Sequence, residues 1–157
     1  MARKSRKEEI ITRPLYHLSE EGYRMLLRLE QPRLTPRLNG SGRYVVGLRH
    51  TGDDIDPDRR YTPEEIATFF ETDKIPYEAD VNRIFDPVFM TQHMFDAMFC
   101  FAFSVGKIST TELGQMIQRN PYDDRIRDFW CYTYTKANRD RLLSDRRQKE
   151  VDYYFQD

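Results

Sequence analysis

The stretch Met90-Thr-Gln-His-Met-Phe-Asp-Ala-Met-Phe-Cys-Phe-Ala-Phe-Ser-Val-Gly106 decides how the rest of the chain is read. From Phe95 to Val105 it is apolar nearly all round, and a helix with apolar residues on every side belongs in an interior. The apolar stretch opens at Thr91, and Gly106 supplies a stop at its end. A buried central helix is expected here, with other elements packed around it. Packing accounts for the Phe and Met cluster without a ligand box.

Working outward, Tyr77 onward reads as mostly helical up to Pro87. Beyond Gly106, helices fit Thr111–Arg119, Asp123–Tyr134 and Ser144–Phe155. Upstream, Ser19-Glu-Glu-Gly22 opens a helix whose apolar positions Met25, Leu26 and Leu29 follow at helical spacing, and Pro32 ends it near Glu30 to Gln31. A small hairpin follows: Leu34–Leu38, a turn at Asn39-Gly-Ser-Gly42, and a strand over Arg43–Leu48. Asp53–Arg60 reads as loop, and Thr62-Pro-Glu-Glu65 starts a helix over about 63–72. Residues 1–12 read as a flexible polar arm and 13–157 as a single domain.

Composition narrows the function. The 157 residues include 25 Lys plus Arg, 26 Asp plus Glu and 13 % aromatics, enough apolar material for a real core. The net charge of −1 is unevenly spread: residues 1–49 carry eleven basic and five acidic side chains (+6), 50–100 four and twelve (−8), and 101–157 ten and nine (+1). No basic run is interleaved with aromatics and no helix-turn-helix pattern is present, so nucleic acid is not an expected partner. No stretch approaches the roughly 20 apolar residues of a membrane span, so membrane insertion is not expected either. The basic start Met1–Lys7 meets Glu8 and Glu9 where the apolar core of a signal peptide would lie, so the chain is expected to be cytoplasmic as synthesised, with delivery to the wall or periplasm left to other machinery. Cys100, Cys131 and three scattered histidines suggest no disulfide framework, metal site or cofactor.

The order of elements and three sequence stretches resemble the phage-type lysozymes of glycoside hydrolase family 24. Leu18–Gly22 with Leu29-Glu30 is similar to the family's opening helix, which ends in a Glu-Gly pair bearing the catalytic acid; here the pair is Glu30-Gln31. Val46-Gly-Leu-Arg-His-Thr51 resembles the family's Ile-Gly-x-Gly-His-Thr, with Arg49 at the second glycine. Met90–Gly106 is similar to its Leu-Thr-x-x-Gln-x-Asp-Ala-Leu-Val-Ser-Phe-x-Phe-Asn-x-Gly, with Ser104 after Phe103 where the family has Asn. Leu143–Glu150 resembles Leu-x-x-Arg-Arg-x-x-Glu, and Trp130 and Tyr132 fall at a Trp-x-Tyr segment. The resemblance implies an α+β, mainly helical, two-lobed fold with a small N-terminal hairpin sheet, a helical C-terminal lobe and a cleft between the lobes.

It also implies a site, and the site is damaged. Glycoside hydrolysis needs an acid for the leaving oxygen and a second group on the other face. The family's spacing of Glu, eight residues, Asp or Cys, five residues, Thr falls on Glu30, Asn39 and Val45. Only the acid remains. Gln31 and Arg49 stand for glycines, and Arg49 could fill or re-charge the cleft that the resemblance lines with Gln31, Arg49, His50, Phe103, Ser104 and Arg146. Read structurally, Glu30 is an acid paired with a base such as Arg146, whose position the resemblance places against it, Asn39-Gly40 is turn chemistry, Val45 is a strand residue and His50 is a hydrogen-bonded structural group. The expected function is that of a catalytically degenerate lysozyme-like binding or adaptor module, as found by analogy in phage tails and bacterial injection machines. A protein partner is favoured, because Tyr153-Tyr154-Phe155 places aromatics near the chain end, and a cell-wall glycan is possible. The alternative is an active muramidase using Glu30 with Asp53 or Asp54 as second group.

Overall fold

Ser19 begins the first helix as expected: its hydroxyl accepts from the amide of Gly22 (3.0 Å), and Glu20 and Glu21 place negative charge in the first turn of α1 (Glu20–Glu30). The structure, a computed structural model, describes residues 15–133 and 141–156, and the expected arm over residues 1–12 lies outside them. Gln31 still donates to Leu27 O (2.9 Å) but takes φ +47°, a left-handed helix stop in which a glycine is usual, and Pro32 follows.

The chain divides into two compact units, one over Tyr23–Pro76 and one built from the chain on either side of it. In the first, β1 (Arg33–Leu38), β2 (Tyr44–Gly47) and β3 (His50–Thr51) form an antiparallel sheet in the order β1-β2-β3. The hairpin expected from the sequence thus gains a third strand, whose two residues are too short to show alternation. Pro36 sits inside β1 because the register slips between Arg33↔Gly47 and Arg37↔Val45, an irregularity that requires no donor from proline. A capping box between Thr62 and Glu65, with Pro63 at the first position, starts α2 (Pro63–Asp73). Met25, Leu26, Val46, Leu48, Ile66 and Phe70 are buried in this unit. Gly47 has φ +63°, and a Cβ there would lie 2.5 Å from the Ile66 Cδ1, so helix and sheet meet closely at a residue without a side chain.

The second unit holds α3 from Tyr77 on (Ile75–Asn82), α4 (Gln92–Val105), a 3₁₀ turn (Ile108–Thr110), α5 (Glu112–Arg119), α6 (Ile126–Thr133) and α7 (Arg141–Tyr154). Thr91 caps α4 and every residue from Met94 to Phe103 is buried, as the apolar run predicts. Burying each large side chain there contributes roughly 1.5–3 kcal/mol. Phe101 meets Trp130 edge-on at 5.3 Å, and Phe95 meets Phe85 likewise at 5.1 Å. The one charged residue of the run, Asp96, is tied down by Ser19, whose amide (3.0 Å) and hydroxyl both donate to it, and by Gln92 (2.9 Å). Gly22 packs against this carboxylate, since a Cβ would fall 2.5 Å from the Asp96 Cγ. α6 begins three residues later than expected and α7 three earlier, and Tyr134 lies outside the described residues.

One expectation is corrected. The aromatics near the chain end are not a surface patch: Tyr154 is wholly buried, donating from its hydroxyl to Pro121 O (2.7 Å), and Tyr153 is 8 % exposed, edge-on to His93. The helical period of α7 carries Tyr153 and Tyr154 inward with Val151 and Phe155 is half-buried, while the exposed aromatics among the described residues are Tyr44, Phe89, Tyr122 and Tyr132. Among the described residues, no helix is long and apolar enough to cross a membrane.

Candidate functional site

The end of α1 and the β2–β3 turn bring Glu30 and Arg49 together. Arg49 Nε lies 2.8 Å from Glu30 Oε1 and Nη2 donates to Oε2 at 3.3 Å, so the guanidinium spans both carboxylate oxygens. The Glu30 side chain is 10 % exposed and that of Arg49 48 %. Arg49 is a partner of Glu30 that the sequence does not reveal, because nineteen residues separate them and only the fold brings them together.

Arg49 reaches Glu30 from an unusual backbone. It has φ +59°, and with Gln31 at +47° it is one of two non-glycine residues with positive φ among the described residues. Both positions are those at which the sequence motifs have glycine, and a side chain in the left-handed region costs about 1–2 kcal/mol. For exposed Gln31 no contact described here offsets that cost. Gln31→Gly is therefore expected to stabilise the protein by about 1 kcal/mol, seen as a melting temperature about 2–4 °C higher in a calorimetric scan.

Gln31, Arg49 and Val45 line, with Glu30, a pocket of about 290 Å³. Val45 stands on β2, half-buried, and offers no hydroxyl. Asn39 is not part of this lining. It closes the hairpin turn, where its Oδ1 accepts from the amides of Ser41 (3.0 Å) and Arg43 (3.1 Å) and from the Ser41 hydroxyl (2.7 Å).

His50 belongs to a separate cluster. Its Nδ1 is 2.7 Å from Asp73 Oδ2, its Nε2 is 3.0 Å from Asp54 Oδ1, and its ring stacks on Phe69 at 4.0 Å. Both ring nitrogens face carboxylates, which only the protonated imidazole can serve as a donor at both. Burial works against that cation, but its hydrogen bonds to Asp73 and Asp54 and their charges outweigh it and raise the pKa above the ordinary 6.5. A raised histidine contributes stability that is fully present below the unfolded pKa and lost as pH rises through the folded one. His50→Gln is thus expected to lower stability by about 1–2 kcal/mol near pH 6 and by progressively less above the raised pKa, read as paired thermal melts from pH 6 to 9.

Three further residues named from the motifs lie in the other unit. Phe103 is 3 % exposed and packs on Tyr77 at 5.0 Å. Ser104 accepts from Arg147 Nη2 (2.6 Å). Arg146 donates to Glu150 (2.9 Å) and to the Cys100 carbonyl (2.9 Å). Asp53 is exposed and Asp54 is engaged by His50. Among the described residues, no group of three or more His, Cys, Asp or Glu could hold a metal ion.

With this geometry in view, comparison with known proteins is informative. A family model described as phage lysozyme matches residues 28–150. A search of curated proteins gives no match. Among solved structures the chain is similar to the muramidase domain of SpmX from Asticaccaulis excentricus (21 % identity, TM-score 0.74, covering 90 % of this chain and 99 % of that one). It is likewise similar to a mutant of P22 lysozyme (23 %, 0.78, 90 % and 100 %) and to the endolysin of Escherichia coli O157:H7 phage FAHEc1 (20 %, 0.71, 89 % and 94 %).

Proposed function

The chain belongs to the phage lysozyme family, and from that premise we propose that it is a non-hydrolytic member whose former sugar site now serves to bind a protein partner. The single observation that carries this reading is the Arg49 fork on Glu30. A general acid must present an oxygen to the leaving group, and here both oxygens accept from a guanidinium. The second function has no carrier nearby: Asn39 is an amide bound into its own turn, and Val45 cannot position a water. Loss of general base assistance alone is worth about 10²–10⁴ in rate. An adaptor or structural role within an injection machine fits a scaffold kept without its chemistry, by analogy of fold.

The test is direct. Purified protein added to permeabilised cell walls is expected to leave their turbidity unchanged over hours. Clearing that Glu30→Gln abolishes would establish an active muramidase and overturn the proposal.

A further inference from the structure

Residues 23–49 contain six arginines, no lysine and one carboxylate, Glu30. Three of those arginines, Arg33, Arg37 and Arg49, line the same pocket of about 290 Å³ as Glu30, giving it a net charge of +2 (three minus one). Arg49 is matched to Glu30, whereas Arg33 and Arg37 are exposed on β1 and form no ion pair among the described residues. Arginine rather than lysine is the residue that binds planar oxyanions in a two-point fork, and Arg49 already does so with the chain's own carboxylate in this pocket.

We propose that this pocket is a carboxylate-binding site for an acidic segment of a protein partner, an inference that rests on the non-hydrolytic reading above and identifies its ligand. Two observations favour a polyacidic peptide over other anions. The pocket lining contains no aromatic ring on which a nucleobase could stack, which single-stranded nucleic acids use for much of their affinity. Arg33 and Arg37 are four residues apart on a strand, up to about 13 Å, a span met by successive acidic side chains and not by one small anion. Such a contact weakens with salt, because both arginines are solvent-exposed.

The experiment titrates the full chain into fluorescein-labelled hexaglutamate at low salt and follows anisotropy, with hexalysine and hexauridylate as comparators. Saturable binding of hexaglutamate is expected, with none of hexalysine. The charge reversal Arg33→Glu with Arg37→Glu is expected to weaken it at least about tenfold. If that variant melts early, the neutral pair Arg33→Gln with Arg37→Gln carries the same expectation. Absent binding, or binding unmoved by both pairs, overturns the assignment. Hexauridylate binding as tightly with the same arginine dependence overturns the peptide as occupant. Cell-wall clearing by the unaltered protein would sink the non-hydrolytic reading separately, whatever the anisotropy shows.

Discussion

A chain carrying Asn39→Asp, Val45→Thr and Arg49→Gly together is expected to clear cell-wall suspensions at least about 10²-fold faster than the unaltered protein, the low end of what general acid and base assistance contributes. Each change addresses one departure from the family's motif. Asn39 uses Oδ1 for its three turn bonds, so an aspartate keeps that turn through one oxygen and carries a second carboxylate oxygen that meets only a substrate reaching past the pocket lining to the turn. Threonine at 45 preserves the β-branched shape that suits β2 while adding a hydroxyl. Glycine at 49 removes the guanidinium from Glu30 and suits the +59° backbone.

The three changes should act as a unit. Asn39→Asp with Val45→Thr alone is expected to stay near background, because Arg49 still spans the acid. Arg49→Gly alone removes this guanidinium from the acid and supplies no second catalytic group. Such non-additivity marks residues serving one transition state. Adding Glu30→Gln to the triple variant should return it to background. A folded triple variant no faster than the parent would show that these three positions are not what limits hydrolysis on this scaffold.

The sequence speaks for local structure and is silent about distant partners. The buried helix around Phe99, the Ser19 and Thr62 caps and the stop at Pro32 are legible because each depends on residues within a turn or two of itself. The motif spacing also located Gln31 and Arg49 as bulky residues where glycine is usual. That both take positive φ could not be read from their side chains, which disfavour it. The ion pair from Glu30 to Arg49 and the two carboxylates around His50 are products of the fold, formed across nineteen and twenty-three residues. The aromatics at 153–155 misled for a related reason: position near a chain end says nothing about which face of α7 is covered.

The Leu143–Glu150 motif shows the opposite case, where spacing translates straight into energetics. Arg146 and Arg147 stand four and three residues before Glu150 on α7, so one carboxylate meets both guanidinium groups. Arg146 Nε donates to Oε2 at 2.9 Å, Arg147 Nη1 lies 2.6 and 2.7 Å from the two oxygens, and Trp130 Nε1 adds a bond at 3.0 Å. Glu150 is 0 % exposed and Arg147 1 %, and the Arg147 Nε has no hydrogen-bond partner among the described residues. Glu150→Gln would remove the carboxylate that both buried guanidinium groups share, and breaking one partner of a buried pair costs about 3–5 kcal/mol. For a chain of this size that is a melting temperature lower by roughly 6–20 °C. Replacing all three residues with apolar ones of similar volume, as Arg146→Met, Arg147→Met and Glu150→Leu, is expected to cost less than Glu150→Gln alone, since the desolvation penalty leaves with the charges and the orphaned Trp130 Nε1 donor costs only about 1–3 kcal/mol. A Glu150→Gln protein melting within about 2 °C of the parent would show that the two arginines are served by groups other than this carboxylate.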